Sequence, residues 1–167
     1  MIDNKITIKD DEKVNIQRGA IGHRSTWTGL TYKYAAEAGK AEEAERIIRQ
    51  AISETGRVQG NALREQCPDP TSCKSFCDTM FTSTLLKSFE VDVKEKTDDV
   101  LDVEFHHCPL LKAWQALGFD DEMCAKLCDI AMDGDRNIAK AMGFDFHLGD
   151  TIANGCPTCQ VTFRKKK

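Results

Sequence analysis

Eight cysteines stand at positions 67, 73, 77, 108, 124, 128, 156 and 159, and one of them, Cys108, has His106 and His107 directly before it. Cys108 follows a stretch of alternating hydrophobicity and precedes Pro109, a residue suited to the first position of a helix. Backbone N–H groups and the dipole at a helix N-terminus favour a thiolate, so this position suits a nucleophile or a metal ligand. The plainer alternative is a small buried apolar residue. Strand alternation puts His107 on the face of Leu101, Val103 and Phe105 and His106 on the other, so one histidine at most shares a pocket with core-side cysteines.

Cys124 and Cys128 are four residues apart, which on a helix puts both thiols on one face. Leu127 and Ala131 share that side, so the pair either packs as core or aims at the sheet. Cys156-Pro157-Thr158-Cys159 is a CxxC, open to three readings: a redox pair, half of a zinc site, or a turn. A redox pair ordinarily opens a helix, whereas this one leads into an alternating strand. With a metal present, Cys108, Cys124, Cys128 and Cys159 are the candidate ligands, and zinc or iron the metals their thiolates would take. Cys67, Cys73 and Cys77 could hold part of a metal or iron–sulfur centre, but their spacing fits structural cysteines better. Asp133 and Asp135 flank Gly134, where aspartate commonly serves a turn or cap. Beside a Cys/His group such a carboxylate could instead orient a histidine or carry protons. His147 alternates away from Phe144, Phe146 and Leu148, and His23 carries no argument.

These residues need a scaffold. Residues 1–20 are polar and mixed and predict a loose arm. From Thr26, residues Trp27, Leu30, Tyr34, Ala38, Ala41, Ala44, Ile48, Ala51 and Ile52 recur at helical steps, with Gly39 as an interruption and Gly56 as an end. A second helical stretch covers Arg57 to Gln66, prolines 68 and 70 break the chain, and a helix follows from Ser72 to Leu86. The period then changes. Phe89, Val91 and Val93 alternate, as do Leu101, Val103, Phe105 and His107, which predicts an antiparallel hairpin. Helices follow over Pro109–Leu117, Asp121–Met132 and Arg136–Met142, the last after a break at 133–135. Strands close the chain at Phe144–Leu148 and Cys159–Phe163. The expected fold is α+β: N-terminal helices over 1–84, then a four-stranded antiparallel sheet with its helices over 85–167, the two regions forming one compact unit.

Composition narrows the function. With 27 acids against 23 bases and a net charge of −4, no basic face argues for nucleic acid. No apolar run approaches the ~20 residues of a spanning helix, and the N-terminus has no signal-peptide core. A cytoplasmic protein without a membrane role is expected, with its thiols reduced. There is no Gly-rich phosphate loop and no internal repeat. The partner expected is a small-molecule substrate; the oligomeric state stays open.

Taken in order, a strand leading into Cys108-Pro109, a helix bearing Cys128, then Asp133, then Gly155 and Cys159 before a strand ending in Val161 and Phe163, the run over about residues 85–164 resembles the L-2-amino-thiazoline-4-carboxylic acid hydrolase family. Its members look similar there, with Cys-Pro after a strand, Cys and Asp close together on a helix, and Gly-x-x-x-Cys before an aromatic-ended strand. The cysteines at 67, 73, 77, 124 and 156 lie outside that pattern. The resemblance implies a hydrolase opening a C–N bond in a small cyclic amidine or thiazoline. In the roles it suggests, Cys108 attacks the ring carbon or binds a metal, His107 moves protons, Asp133 orients the histidine or the leaving nitrogen, and Cys159 completes the pocket. A second likeness, to vinyl-reductase-type ligand-binding domains, implies instead a cysteine-rich metal- or small-molecule-binding module without turnover.

Overall fold

The computed structural model describes residues 2–166. Two long helices lead: α1 (Glu12–Glu37) and α2 (Ala41–Gln66). Gly39 at φ +75° separates them, so the interruption legible in the sequence is a true hairpin. Two short helices follow, α3 (Cys73–Met80) and α4 (Ser83–Phe89). Strands β1 (Val91–Lys96) and β2 (Val100–Phe105) come next, then α5 (Pro109–Ala116), α6 (Asp121–Ala131) and α7 (Asp133–Met142). Strand β3 (Phe144–Leu148), a short 3-10 turn (Ile152–Asn154) and β4 (Cys159–Lys165) complete the chain. The class is α+β, with one antiparallel sheet in the order β1-β2-β4-β3.

Residues 2–8 are not a loose arm. Glu90 accepts hydrogen bonds from the Thr7 and Ile8 backbone N–H groups and the Thr7 hydroxyl. Arg18 donates to the Ile8 carbonyl and pairs with Glu90 at 2.9 Å, both side chains almost wholly buried. Asp11 then caps α1 through its carboxylate and the Val14 N–H, so the helix begins at Glu12 rather than near Thr26. The polar residues that read as a tail are polar because they clasp one another.

The apolar pattern read along α1 also differs from its core face. Trp27 and Tyr34 are exposed, and the buried positions are Val14, Ile21, Ser25, Gly29 and Tyr32. Small residues face inward there to admit α5: the Trp114 indole donates to the Ser25 carbonyl, and a Cβ on Gly29 would stand 3.0 Å from Trp114. Gly56 lies buried inside α2 rather than ending it, because α7 crosses there in close backbone contact. The stretch read as one helix from Ser72 to Leu86 is two, broken at Phe81 and Thr82, where Thr82 caps α4. Phe89 belongs to α4 and not to the first strand, and β1 is an exposed edge with a bulge between Val93 and Glu95. The break expected at 133–135 is absent: α7 starts at Asp133, with Met132 alone between it and the end of α6.

Two cores result. The inner sheet face, with Leu101, Val103, Phe144, Val161 and Phe163, packs on Phe76 of α3 and on Ile138, Ala139 and Met142 of α7. The second core lies among α1, α2, α5, α6 and the 3-10 turn, around Tyr32, Ile48, Leu111, Trp114, Leu127 and Ile152. Among the described residues no helix is long and apolar enough to cross a membrane.

Candidate functional site

Cys108 stands where β2 has ended and α5 begins. It is the N-cap of α5, with extended backbone at φ −123° and ψ 108°, and its sulfur accepts from the Leu111 N–H at 3.5 Å. Pro109 fills the first helical position, where a missing N–H leaves nothing unsatisfied. Register fixes its neighbours. β2 pairs with β4 so that Phe105 faces Cys159, and Cys159 therefore starts β4 close to the exit of β2. The Cys159 sulfur accepts from the Ile152 N–H at 3.2 Å, at the head of the 3-10 turn. Cys128, on α6, borders the same second core as Cys108 and Cys159.

The electrostatics tie these groups together. Burial pushes the Cys128 thiol far up, and ionisation of Cys108 or Cys159 would push it further. Burial likewise holds Cys159 at about 12, opposed by the Ile152 N–H. Cys108 is raised by burial first, against backbone N–H groups of Leu111 and Leu110 that favour its thiolate. Asp135, in the first turn of α7, carries the fourth group: burial lifts its carboxyl to about 6. Its charge acts on Cys108 and Cys128, and the Arg24 guanidinium of α1 acts on both Cys108 and Asp135. Cys108 and Asp135 are only partly buried by surface, yet burial dominates both. The two open grooves elsewhere, over the outer sheet face and beside Thr7, do not include these residues.

The other residues singled out in the sequence fall as follows. His107 is buried on the core side and His106 exposed, as alternation requires. His107 lies among Arg18, Glu90 and the Lys5 backbone, and burial drives it down to about 4, so it is neutral near pH 7. Its Nδ1 has no hydrogen-bond partner among the described residues. Asp133 is engaged by Arg49 at 3.1 Å and Arg136 at 2.7 Å. Cys124 is buried, its thiol 3.9 Å from the Phe119 carbonyl, and burial raises it to about 11. Among the described residues, the set of three ligand-type atoms within 4.8 Å of one another is Asp92, Glu104 and His106, on the exposed sheet face, not a set of cysteines. There Lys94 already bonds Glu104 at 2.6 Å. Cys67, Cys73 and Cys77 are buried core residues; Cys67 meets the Ser75 hydroxyl at 3.2 Å and Cys73 the Phe163 carbonyl at 3.8 Å.

Two groups that act on Cys108, Arg24 and Asn4, were not singled out in the sequence. The buried Asn4 amide donates to the Cys108 carbonyl and accepts from the Cys108 N–H, both at 2.9 Å. Asp135 carried a signal, since it flanks Gly134, but helical phase decides between it and Asp133. Asn4 carried none.

Helices packed against one face of a small antiparallel sheet, with the partly buried Cys108, Cys128 and Cys159 bordering one core, define an α+β domain. The chain belongs to the L-2-amino-thiazoline-4-carboxylic acid hydrolase family, whose family model matches residues 19–163. The match takes in α1 and α2, so the likeness is not confined to the C-terminal half. Comparison with curated proteins gives no match. The chain is similar in fold to a trafficking protein particle complex subunit 3 from Naegleria fowleri, solved covalently bound to palmitic acid. That likeness has a TM-score of 0.51 at 13% identity, covering 86% of this chain and 96% of that one.

Proposed function

We propose that this protein is a thiol-dependent hydrolase of small cyclic amidines or thiazolines carrying a carboxylate. The observation that carries this reading is Cys108 at the N-cap of α5, its sulfur accepting from the Leu111 N–H, with the charge of Asp135 in the first turn of α7 acting on it. Membership of the hydrolase family supports it.

The Cys108 sulfur adds to the electrophilic carbon of the ring C=N group, and Asp135, largely ionised near pH 7, takes the thiol proton. The protonated Asp135 then returns that proton to the departing ring atom. Water attacks the resulting adduct at carbon, losing its proton to Asp135, and the Cys108 thiol is restored. Atom balance specifies the broken bond. An N-carbamoyl cysteine product keeps both nitrogens on that carbon, so an amino-thiazoline ring opens at carbon–sulfur. A sulfur-free cyclic amidine opens at carbon–nitrogen. Arg24 is exposed and forms no ion pair among the described residues, which leaves it available for the substrate carboxylate. Cys128 and Cys159 border the same core as Cys108, and their raised thiols stay neutral.

The test is turnover of an amino-thiazoline carboxylate, and of carboxylated cyclic amidines, by the native protein and its variants. Cys108→Ser should abolish turnover. Asp135→Asn should reduce kcat by about 10²-fold, the usual scale for a positioned proton carrier. Arg24→Ala should raise KM while sparing kcat. Full activity in Cys108→Ser would rule the mechanism out. His107→Gln separates the two proton carriers: a loss larger than that of Asp135→Asn would assign the role to His107.

A second reading, a binding module that holds an acyl group on a cysteine without turnover, is supported by the palmitic acid bound covalently in the similar fold. The apolar core that Cys108 borders, with Leu111, Trp114, Leu127 and Ile152, also suits such a chain. Incubation with a palmitoyl thioester separates the two: a stable adduct of one acyl chain, with no ring opening, favours the module.

A further inference from the structure

We propose that Asn4 is a positioning residue for the Cys108 thiol, which makes residues 2–8 a working part of the site. The consequence for chemistry rests on Cys108 being the reactive thiol, as argued above; the geometric claim stands on its own hydrogen bonds.

The Asn4 side chain grips Cys108 on both sides of its Cα. Its Nδ2 donates to the Cys108 carbonyl and its Oδ1 accepts from the Cys108 N–H. One rigid amide thus holds both peptide planes that define φ and ψ of this residue. Those dihedrals aim the sulfur back along α5 at the Leu111 N–H. An N-cap residue has non-helical backbone with no helix hydrogen bond for its own N–H, so an outside acceptor must supply that bond. Asn4 supplies it from 104 residues away in sequence.

Asn4 is held in turn. The Ile2 carbonyl accepts from Gln115 of α5 at 2.9 Å, and the Ile2 N–H reaches Asp121 at 3.3 Å. On its other side, Thr7 and Ile8 are locked by Glu90 and Arg18. The segment is pinned at both ends with Asn4 between them, buried against the start of α5. A segment serving only to tie down the chain terminus would need the outer anchors and not the two bonds to Cys108.

If Asn4 sets the sulfur on the Leu111 N–H, its loss frees the thiol from a donor that favours the thiolate. The thiolate fraction then falls at any given pH. The experiment uses full-length, 15N-labelled Asn4→Ala and Asn4→Asp, with Cys108→Ala as the reference lacking sulfur. The isosteric Asn4→Asp keeps the acceptor for the Cys108 N–H but loses the donor, and it serves should Asn4→Ala not fold. Two signals are read: the Leu111 amide resonance, and the rate of iodoacetamide capture at Cys108 followed by peptide mass spectrometry. In both variants the Leu111 resonance should move from its native position toward that of Cys108→Ala. Capture should slow about fivefold near neutral pH, the factor expected of one lost cap interaction. Thr82→Ala, which removes the cap of α4, controls for lowered stability and should leave both signals unchanged. A Leu111 resonance that stays at its native position in both Asn4 variants overturns the proposal. Turnover surviving in Cys108→Ser would instead overturn the hydrolase mechanism and leave the Leu111 result standing.

Discussion

Glu90 is the residue whose backbone and side chain are hardest to replace together. It is the non-glycine among the described residues with positive φ, at 52°, a conformation that costs an ordinary side chain about 1 kcal/mol. Its carboxylate is held down to about 2; burial opposes ionisation, but the Thr7 and Ile8 donors and Arg18 outweigh it. Removing one partner of a buried pair leaves the other charge uncompensated, at a cost of roughly 3–5 kcal/mol. Arg18→Ala should therefore lower stability by that order, measured by urea unfolding, and should expose the Ile8 amide to hydrogen exchange. Glu90→Gly, which relieves the backbone while deleting the carboxylate, should be destabilised as well, because the lost ion pair exceeds the relieved strain. A Glu90→Gly protein as stable as the native one would show that the pair contributes little. None of this was legible in the sequence. Glu90 reads as one more charged residue before a strand, and its partners lie in a segment that reads as an arm.

The α2–α7 crossing makes its own prediction at the level of elements. A Cβ on Gly56 would collide with the Gly134 carbonyl, and one on Gly60 would come within 2.7 Å of the Ala141 Cβ. The general rule for helices, that Gly→Ala gains stability, should therefore reverse between two sites. Gly19 on α1 has nothing within 4 Å, so Gly19→Ala should stabilise by up to about 1 kcal/mol. Gly56→Ala should destabilise by about 1–3 kcal/mol, because the helices must part. Thermal melts of the two variants check the pair, and equal shifts would mean that the crossing yields easily. Elements with strong periodicity and proper caps were legible: α5 from Pro109, α6 capped by Asp120, α7 ended by Gly143 at φ 86°, and both closing strands. The reading failed where tertiary contact inverts a local signal. Gly56 looks like a helix stop, and Trp27 looks like core, because the sequence does not show which face meets a neighbour. The site divided the same way. Cys108 stood out as a candidate through its proline, whereas the sequence does not show that Asp133 is engaged by two arginines while Asp135 is not, because that depends on the phase of α7.

Over the whole molecule, two buried groups titrate in opposite senses across the same pH range. Asp135 rises from 3.8 to about 6 on folding, with burial as the cause. A raised carboxyl contributes stability that is fully present below its unfolded pKa and is lost as the pH climbs through about 6. His107 falls from 6.5 to about 4, again by burial. A lowered imidazole contributes stability that is present above 6.5 and is lost as the pH falls through about 4. Each shift corresponds to roughly 3 kcal/mol at about 1.4 kcal/mol per pKa unit. The strongly lowered Glu90 acts mainly below 4.5, at the acid edge of this window. Between about pH 4 and 6.5 the two slopes therefore offset each other, and native stability should be nearly level. Single substitutions should uncover them. Asp135→Asn leaves His107, so its stability should drop on acidification from pH 6.5 to 4.5. His107→Phe leaves Asp135, so its stability should drop on going from pH 4.5 to 6.5. The slope with pH is the quantity to read, from urea unfolding at both values, because either substitution also shifts absolute stability through packing. Parallel slopes in the two variants would mean that at least one of the groups is far less desolvated than its position implies. Opposite slopes would show that Asp135 is a desolvated, ionisable carboxyl and His107 a desolvated imidazole, independent of any turnover.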